Sequence, residues 1–213
     1  MSSDTMTQYS IEELKCPKCG HAHHLKKYSV INVTEKPAMK EDILKNRIFN
    51  FDCENCDLVA PLTYESMYLD SKKKLAICLS TEETDMEQLE KWKSRKGMTL
   101  RVVDNINDLK EKIMIAENLL DDRVVELVKI AYLRRLEKEM KEDTLMNILF
   151  DYNGNQMYFL VFFEKKGIGR MPFDLELYRS TASRYERQIK AHSTDDFMKV
   201  NMKWAGDIFF MRS

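Results

Sequence analysis

Glycine and proline are scarce in this chain, 6 and 4 of 213 residues. That scarcity argues against long disordered or linker-like stretches. Long apolar runs are also missing. The longest, such as Met157–Phe163, fall far short of the roughly 20 residues that span a bilayer. No basic flank followed by an apolar run opens the chain, so no targeting segment is visible and a cytoplasmic location is expected. An excess of one charge is missing as well: 34 Lys+Arg face 35 Asp+Glu, for a formal net charge of −1. The balance is local too, with 11 basic and 11 acidic residues in 1–80. Neither half carries the surplus of cations on which non-specific nucleic-acid binding rests. No P-loop, Ser/His/Asp order or dinucleotide fingerprint occurs. Gly167-Ile168-Gly169 lacks the third glycine of such a fingerprint and reads as a loop.

What is present is an ordinary globular composition, 44% hydrophobic and 32% charged, with length enough for a core. The pattern predicts an α+β protein: a β-rich, zinc-ribbon-like module over residues 1–80, then an α/β region over 81–213 with a helical pair and a C-terminal β-hairpin. Residues 1–10 are polar and expected to fray. Residues 25–33 read as a strand, Pro37 opens a short helix carrying Met39 and Ile43, and Ile48–Phe51 is extended. Leu58–Leu69 and Leu75–Leu79 read as strands joined by a turn at Asp70–Lys74. Thr84 with Glu87 matches a capping box for a helix that Gly97 would stop; Met98–Val103 is a short strand. Apolar residues at Ile106, Leu109, Ile113, Ala116 and Leu120 recur at helical spacing. Asp121 and Asp122 then favour a helix start, and the broad apolar arc from Val124 to Met140 predicts a well-buried helix. Asn153-Gly154-Asn155 between Leu145–Tyr152 and Gln156–Phe163 is a strong hairpin signal. A strand at 170–178, a helix at 181–192 and an extended or mixed segment at 197–210 complete the expectation.

Two C-x-x-C pairs, Cys16/Cys19 and Cys53/Cys56, carry the sharpest chemical signal. Zinc takes four ligands in a tetrahedron and binds thiolates strongly. A C-x-x-C turn points two sulfurs at one place, and two such turns supply all four ligands. Five cysteines in a reducing compartment favour metal binding or buried thiols over disulfides. Two unrelated thiol pairs, or a redox dithiol at one of them, are the weaker readings. The expected cofactor is one Zn2+ held by Cys16, Cys19, Cys53 and Cys56.

At these residues the sequence resembles the bacterial CpXC family of zinc-ribbon-like proteins. The resemblance rests on Cys16-Pro17-Lys18-Cys19-Gly20, Ile31-Asn32-Val33, the Cys53 and Cys56 pair and the tract Leu58–Leu79. It extends through Glu111-Lys112-Ile113 to the run from Asp121 to Glu126, and covers roughly residues 12–135. It implies the same four cysteines as metal ligands. Glu54 and Asp57 depart from it, standing where proline and glycine are common. It carries over no established biochemical activity and leaves function open.

His21, His23 and His24 follow the first pair and read as solvent-facing residues on a strand edge, with a replacement ligand or a base beside the metal as the sharper alternative. Cys78, alone in an apolar strand, reads as a buried inert thiol. His192 has no recognisable partner, and the 14 methionines are dispersed as core packing would place them. The expected function is a non-enzymatic interaction or regulatory module with a protein partner. A nucleic-acid-binding zinc ribbon is the alternative, opposed by the charge balance; Lys72-Lys73-Lys74 and Arg134-Arg135 are short clusters of solvated type. An enzyme would need a groove lined by residues such as Tyr152, Tyr158, Glu164 and Arg170, and no constellation supports one. No catalytic residues are assigned.

Overall fold

A computed structural model describes residues 6–81, 89, 97–139 and 143–210. The chain is α+β, as the patterning predicts. It divides into two compact units, one of residues up to Lys110 with Asp195–Phe197, the other of Glu111–Thr194 with the residues from Met198 on. The residue-80 boundary drawn from composition falls inside the first unit.

The first unit is built on a five-stranded sheet. Its strands are β1 (Gln8–Lys15), β2 (Ala22–Asn32), β5 (Ser66–Asp70), β6 (Leu75–Leu79) and β7 (Thr99–Val103), in the order β1-β2-β5-β6-β7. β5 and β6 are buried at every position; β6 is an unbroken apolar run, and β5 is apolar from Met67 to Leu69 between Ser66 and Asp70. β2 pairs with β5 in parallel, and parallel neighbours need a long crossover. That crossover holds α1 (Ala38–Leu44) and the short antiparallel pair β3 (Asn50–Asp52) and β4 (Val59–Pro61). β6 and β7 are also parallel, and residues 80–98 make the return. Of the helix expected there, only Leu89 lies among the described residues; it is helical and buried, packed with Val30, Met67, Leu69, Ala76, Cys78 and Leu100.

Two expectations change here. Residues 8–10 belong to β1, because their backbone pairs with β2 even though their side chains stay exposed. The tract 58–69 is two strands, with a break at Leu62–Glu65.

In the second unit, β8 (Leu145–Tyr152), β9 (Met157–Phe163) and β10 (Gly167–Pro172) form an antiparallel sheet in the order β10-β9-β8. α2 (Ile106–Glu117) runs into this unit at Glu111, and α3 (Asp122–Glu139), α4 (Leu175–Ala191) and α5 (Met202–Phe210) follow in chain order. Asn105 accepts the amide of Asp108 at the start of α2, the usual role of a side-chain cap. The core gathers Val125 and Val128 with Phe150, Phe159 and Phe173. These three rings meet edge-to-face at 5.2–6.3 Å, the arrangement their quadrupoles favour. α3 is buried without a break from Val124 to Ile130, so Glu126 and Lys129 lie inside as well. Lys129 Nζ is 2.7 Å from Glu111 and 3.0 Å from Glu126, and Lys112 Nζ is 3.0 Å from Glu126 and 3.3 Å from Asp122.

The strand expected at 170–178 stops at Pro172, and α4 begins at Leu175. Asp174 accepts the amides of Glu176 and Leu177, and Thr181, Tyr185 and Ile189 bury one helical face. That face, not a two-residue alternation, decides the element. Gly167 and Gly169, expected in a loop, open β10 and pair with Phe163 and Val161. The segment 197–210 ends as a helix, with Ala205 and Ile208 buried. Met86, Trp92 and Met140, placed on helical faces from sequence, lie outside the described residues.

The hairpin at Asn153–Asn155 forms as its residues dictate. Asn153 Oδ1 accepts the amides of Asn155 and Gln156, and Gly154 holds φ +93°. A methyl group at Gly154 would meet nothing within 4 Å. Gly154→Ala is therefore expected to cost about 1–2 kcal/mol through the backbone alone. Chemical denaturation should show a lower midpoint with an unchanged slope.

Candidate metal centre

Cys16 and Cys19 sit in the loop between β1 and β2, and Cys53 and Cys56 in the loop between β3 and β4. Each loop is closed by its own backbone. Cys16 N–H donates to His21 O at 2.8 Å and Gly20 N–H to Cys16 O at 2.8 Å, while Cys53 N–H donates to Leu58 O at 2.9 Å. Gly20 takes φ +73°, a conformation that only glycine adopts freely, so the C-x-x-C-G sequence is what the turn requires. The crossover from β2 to β5 brings the second loop against the first.

The four sulfurs lie within 4.8 Å of one another. Cys16 and Cys56 are 3.8 Å apart, Cys19 and Cys53 3.6 Å. Four sulfurs bound at about 2.3 Å to a tetrahedral zinc stand about 3.8 Å from each other. The donor set therefore fits a metal ion in number, chemistry and spacing. Among the described residues no other group of His, Cys, Asp and Glu gathers in this way.

The electrostatics agree. The Asn55 side-chain amide, then the His21 backbone N–H, pull the Cys19 thiol down to about 6. Cys56 goes the other way, up to about 12: the Leu58 backbone N–H favours its thiolate, but desolvation and the three neighbouring sulfurs prevail. Four thiolates this close repel one another, and a cation at their centre removes the conflict. Cys16 is buried, Cys19 exposed.

His23 departs from the solvent-facing reading of the three histidines. It is buried, not solvent-facing, and its Nε2 lies 3.2 Å from Cys53 Sγ. Its ring meets Phe51 edge-on at 5.2 Å and His21 at 4.9 Å. The signal was the phase of β2: the strand starts at Ala22, which puts His23 on the same face as Leu25. His21 and His24 are exposed, as expected. Asn55 was also missed; its amide lies 3.5 Å from Cys19 Sγ. Asp57, one of the departures from the family pattern, reaches Lys18 of the other loop at 3.3 Å. Both ends are exposed, so the pair adds little.

The remaining candidates do not converge. Cys78 is buried in β6, and burial pushes its thiol up to about 12. Tyr152 donates to Gly154 O within the hairpin, while Tyr158 donates to Asp151 and lies under Arg170. His192 Nδ1 contacts Gln188 O at the end of α4. Among the described residues no helix is long and apolar enough to cross a membrane.

No curated protein and no solved structure matches the chain. The family model described as CpXC protein matches residues 14–129, which takes in both cysteine loops and runs into α3. That match spans more than half of the sequence, so the chain belongs to the CpXC family.

Proposed function

We propose that this is an intracellular zinc protein in which Cys16, Cys19, Cys53 and Cys56 hold one structural Zn2+, and that it works as a non-enzymatic interaction or regulatory protein with a protein partner. The observation that carries the zinc reading is the four-sulfur group with tetrahedral spacing. Thiolate ligands at that spacing suit zinc. When bound, zinc supplies the charge and bonds that lock the β1–β2 loop to the β3–β4 loop. A catalytic zinc needs a position open to water or substrate, and four sulfurs fill a tetrahedron. That supports a structural role. A protein partner is favoured over nucleic acid by the even charge of both halves.

Purified full-length protein should carry one zinc per chain by elemental analysis. Cobalt substitution should give the spectrum of a tetrahedral four-sulfur site, and nitrogen or water in the shell would reopen an enzymatic role. Duplex DNA and RNA should bind only weakly at physiological salt. Tight binding with a steep salt slope would replace the protein partner with nucleic acid.

A further inference from the structure

We propose that His23 is the positioning residue of the metal centre: its Nε2–H donates a hydrogen bond to the Cys53 sulfur and holds that ligand against release. This rests on the zinc reading above. A metal-bound thiolate is a pure acceptor, so a ring nitrogen 3.2 Å from Cys53 Sγ must carry the proton there.

Its place in the site is outside the metal's own shell. A nitrogen and a sulfur bound to one tetrahedral zinc, at about 2.0 and 2.3 Å, stand about 3.5 Å apart. The observed separation is shorter, and the group of atoms able to hold a metal comprises the four sulfurs without His23. Nε2 therefore contacts the sulfur without belonging to the ligand group.

The ring cannot readily turn away. His23 is only 5% exposed, Phe51 packs against its ring at an interplanar angle of 88°, and its backbone is fixed by pairing with Leu14 of β1. Phe51 lies two residues before Cys53, so the side chain that holds the ring and the sulfur that accepts its proton come from the same strand end. A hydrogen bond to a charged acceptor is strong, and removal from water strengthens it further. It also takes charge off the sulfur, which makes Cys53 a poorer nucleophile. Among the described residues Cys19 has only the long Asn55 contact from a side chain other than cysteine, and it is exposed. The two rim sulfurs are thus unequal: Cys53 is anchored and Cys19 is the one that reagents reach.

The test uses the full zinc-loaded chain with His23→Phe, which keeps a ring against Phe51, and His23→Gln, which keeps an N–H donor. Zinc stoichiometry and the cobalt spectrum check the metal reading itself. Both variants should retain one zinc and a four-sulfur spectrum. His23→Phe should pass its zinc to an excess of chelator about 10–100-fold faster than wild type, the range typical of lost outer-shell partners. Cys53 should gain alkylation by N-ethylmaleimide relative to Cys19, and His23→Gln should recover part of both effects. A wild-type transfer rate in a zinc-loaded His23→Phe overturns the proposal alone. A nitrogen signature in wild-type cobalt protein that vanishes in His23→Phe overturns it too, by making His23 a ligand. A wild-type chain that takes up no zinc overturns the metal reading and this one together. If His23→Phe does not fold, cadmium-113-loaded wild type decides the matter: the His23 Nε2–H proton should show coupling to cadmium across the sulfur, and no coupling counts against the bond.

Discussion

Cys16→Ser is expected to strip the zinc and unfold the metal-bearing part of the first unit. Serine's hydroxyl does not ionise near neutral pH, so the tetrahedron loses a charged ligand and becomes a three-sulfur site. Binding of structural zinc is coupled to folding by about 10–16 kcal/mol, against a total stability of about 5–15 kcal/mol for an ordinary domain. Losing even part of that coupling is enough to unfold the loops. Cys16 suffers more than an exposed ligand would, because it is 2% exposed and water cannot enter to take its place. Cys78→Ser is the control. Cys78 is equally buried but lies in the sheet core with Met67, Ala76 and Leu100. A hydroxyl there costs about 1–3 kcal/mol and should leave one zinc per chain. Elemental analysis and circular dichroism on both variants check the pair. Full zinc in Cys16→Ser would show that the ligand set is wrong.

The metal loops were legible because their chemistry is local. A C-x-x-C turn ending in Gly20 specifies its own geometry, and two of them specify a tetrahedron. What brings them together is not local. The parallel pairing of β2 with β5 depends on partners some 37 positions apart, Val30 with Met67 and Ile31 with Tyr68, and nothing in either strand names the other. β1 was illegible for a different reason. Gln8–Lys15 has almost no buried side chain, so it is held by backbone hydrogen bonds that leave no hydrophobic period. The strand expected at 170–178 ran past Asp174, which supplies a cap, into a helix that buries Thr181, Tyr185 and Ile189. The burial of His23 was misread through one misplaced boundary. Starting β2 at Leu25 leaves the histidines outside the strand, and starting it at Ala22 turns His23 inward.

Lys129→Met is expected to destabilise the second unit by about 3–5 kcal/mol, the usual cost of removing one partner from a buried ion pair. The apolar arc of α3 was visible in the sequence; that Glu126 and Lys129 would share its interior was not. Lys129 is fully enclosed and touches both Glu111 and Glu126. Glu126 keeps Lys112 when Lys129 is lost, but Glu111 loses its direct ion-pair partner and keeps the backbone N–H of Phe150 and the more distant attraction of Lys112, which leaves a poorly compensated buried charge. Glu126 Oε2 is already buried without a hydrogen-bond partner among the described residues, so it has little to spare for reorganisation. Burial pushes the Glu111 carboxyl above its ordinary 4.5, and the Lys129 ammonium pulls it back. A raised carboxyl contributes stability that is present below pH 4.5 and lost as pH rises through its folded value. Without Lys129 the larger pull is gone, Lys112 supplies the rest, and the folded value climbs further. The deficit of Lys129→Met relative to wild type should therefore shrink as pH falls toward the carboxyl's ordinary 4.5. Adding Glu111→Gln tests the assignment directly. The amide oxygen still accepts the Phe150 N–H, and the stranded charge is gone. Urea denaturation of Lys129→Met/Glu111→Gln should recover a large part of the loss and flatten its pH dependence. If the double variant is no more stable than Lys129→Met, the cost lies in lost packing around the lysine stem and not in the charge left on Glu111.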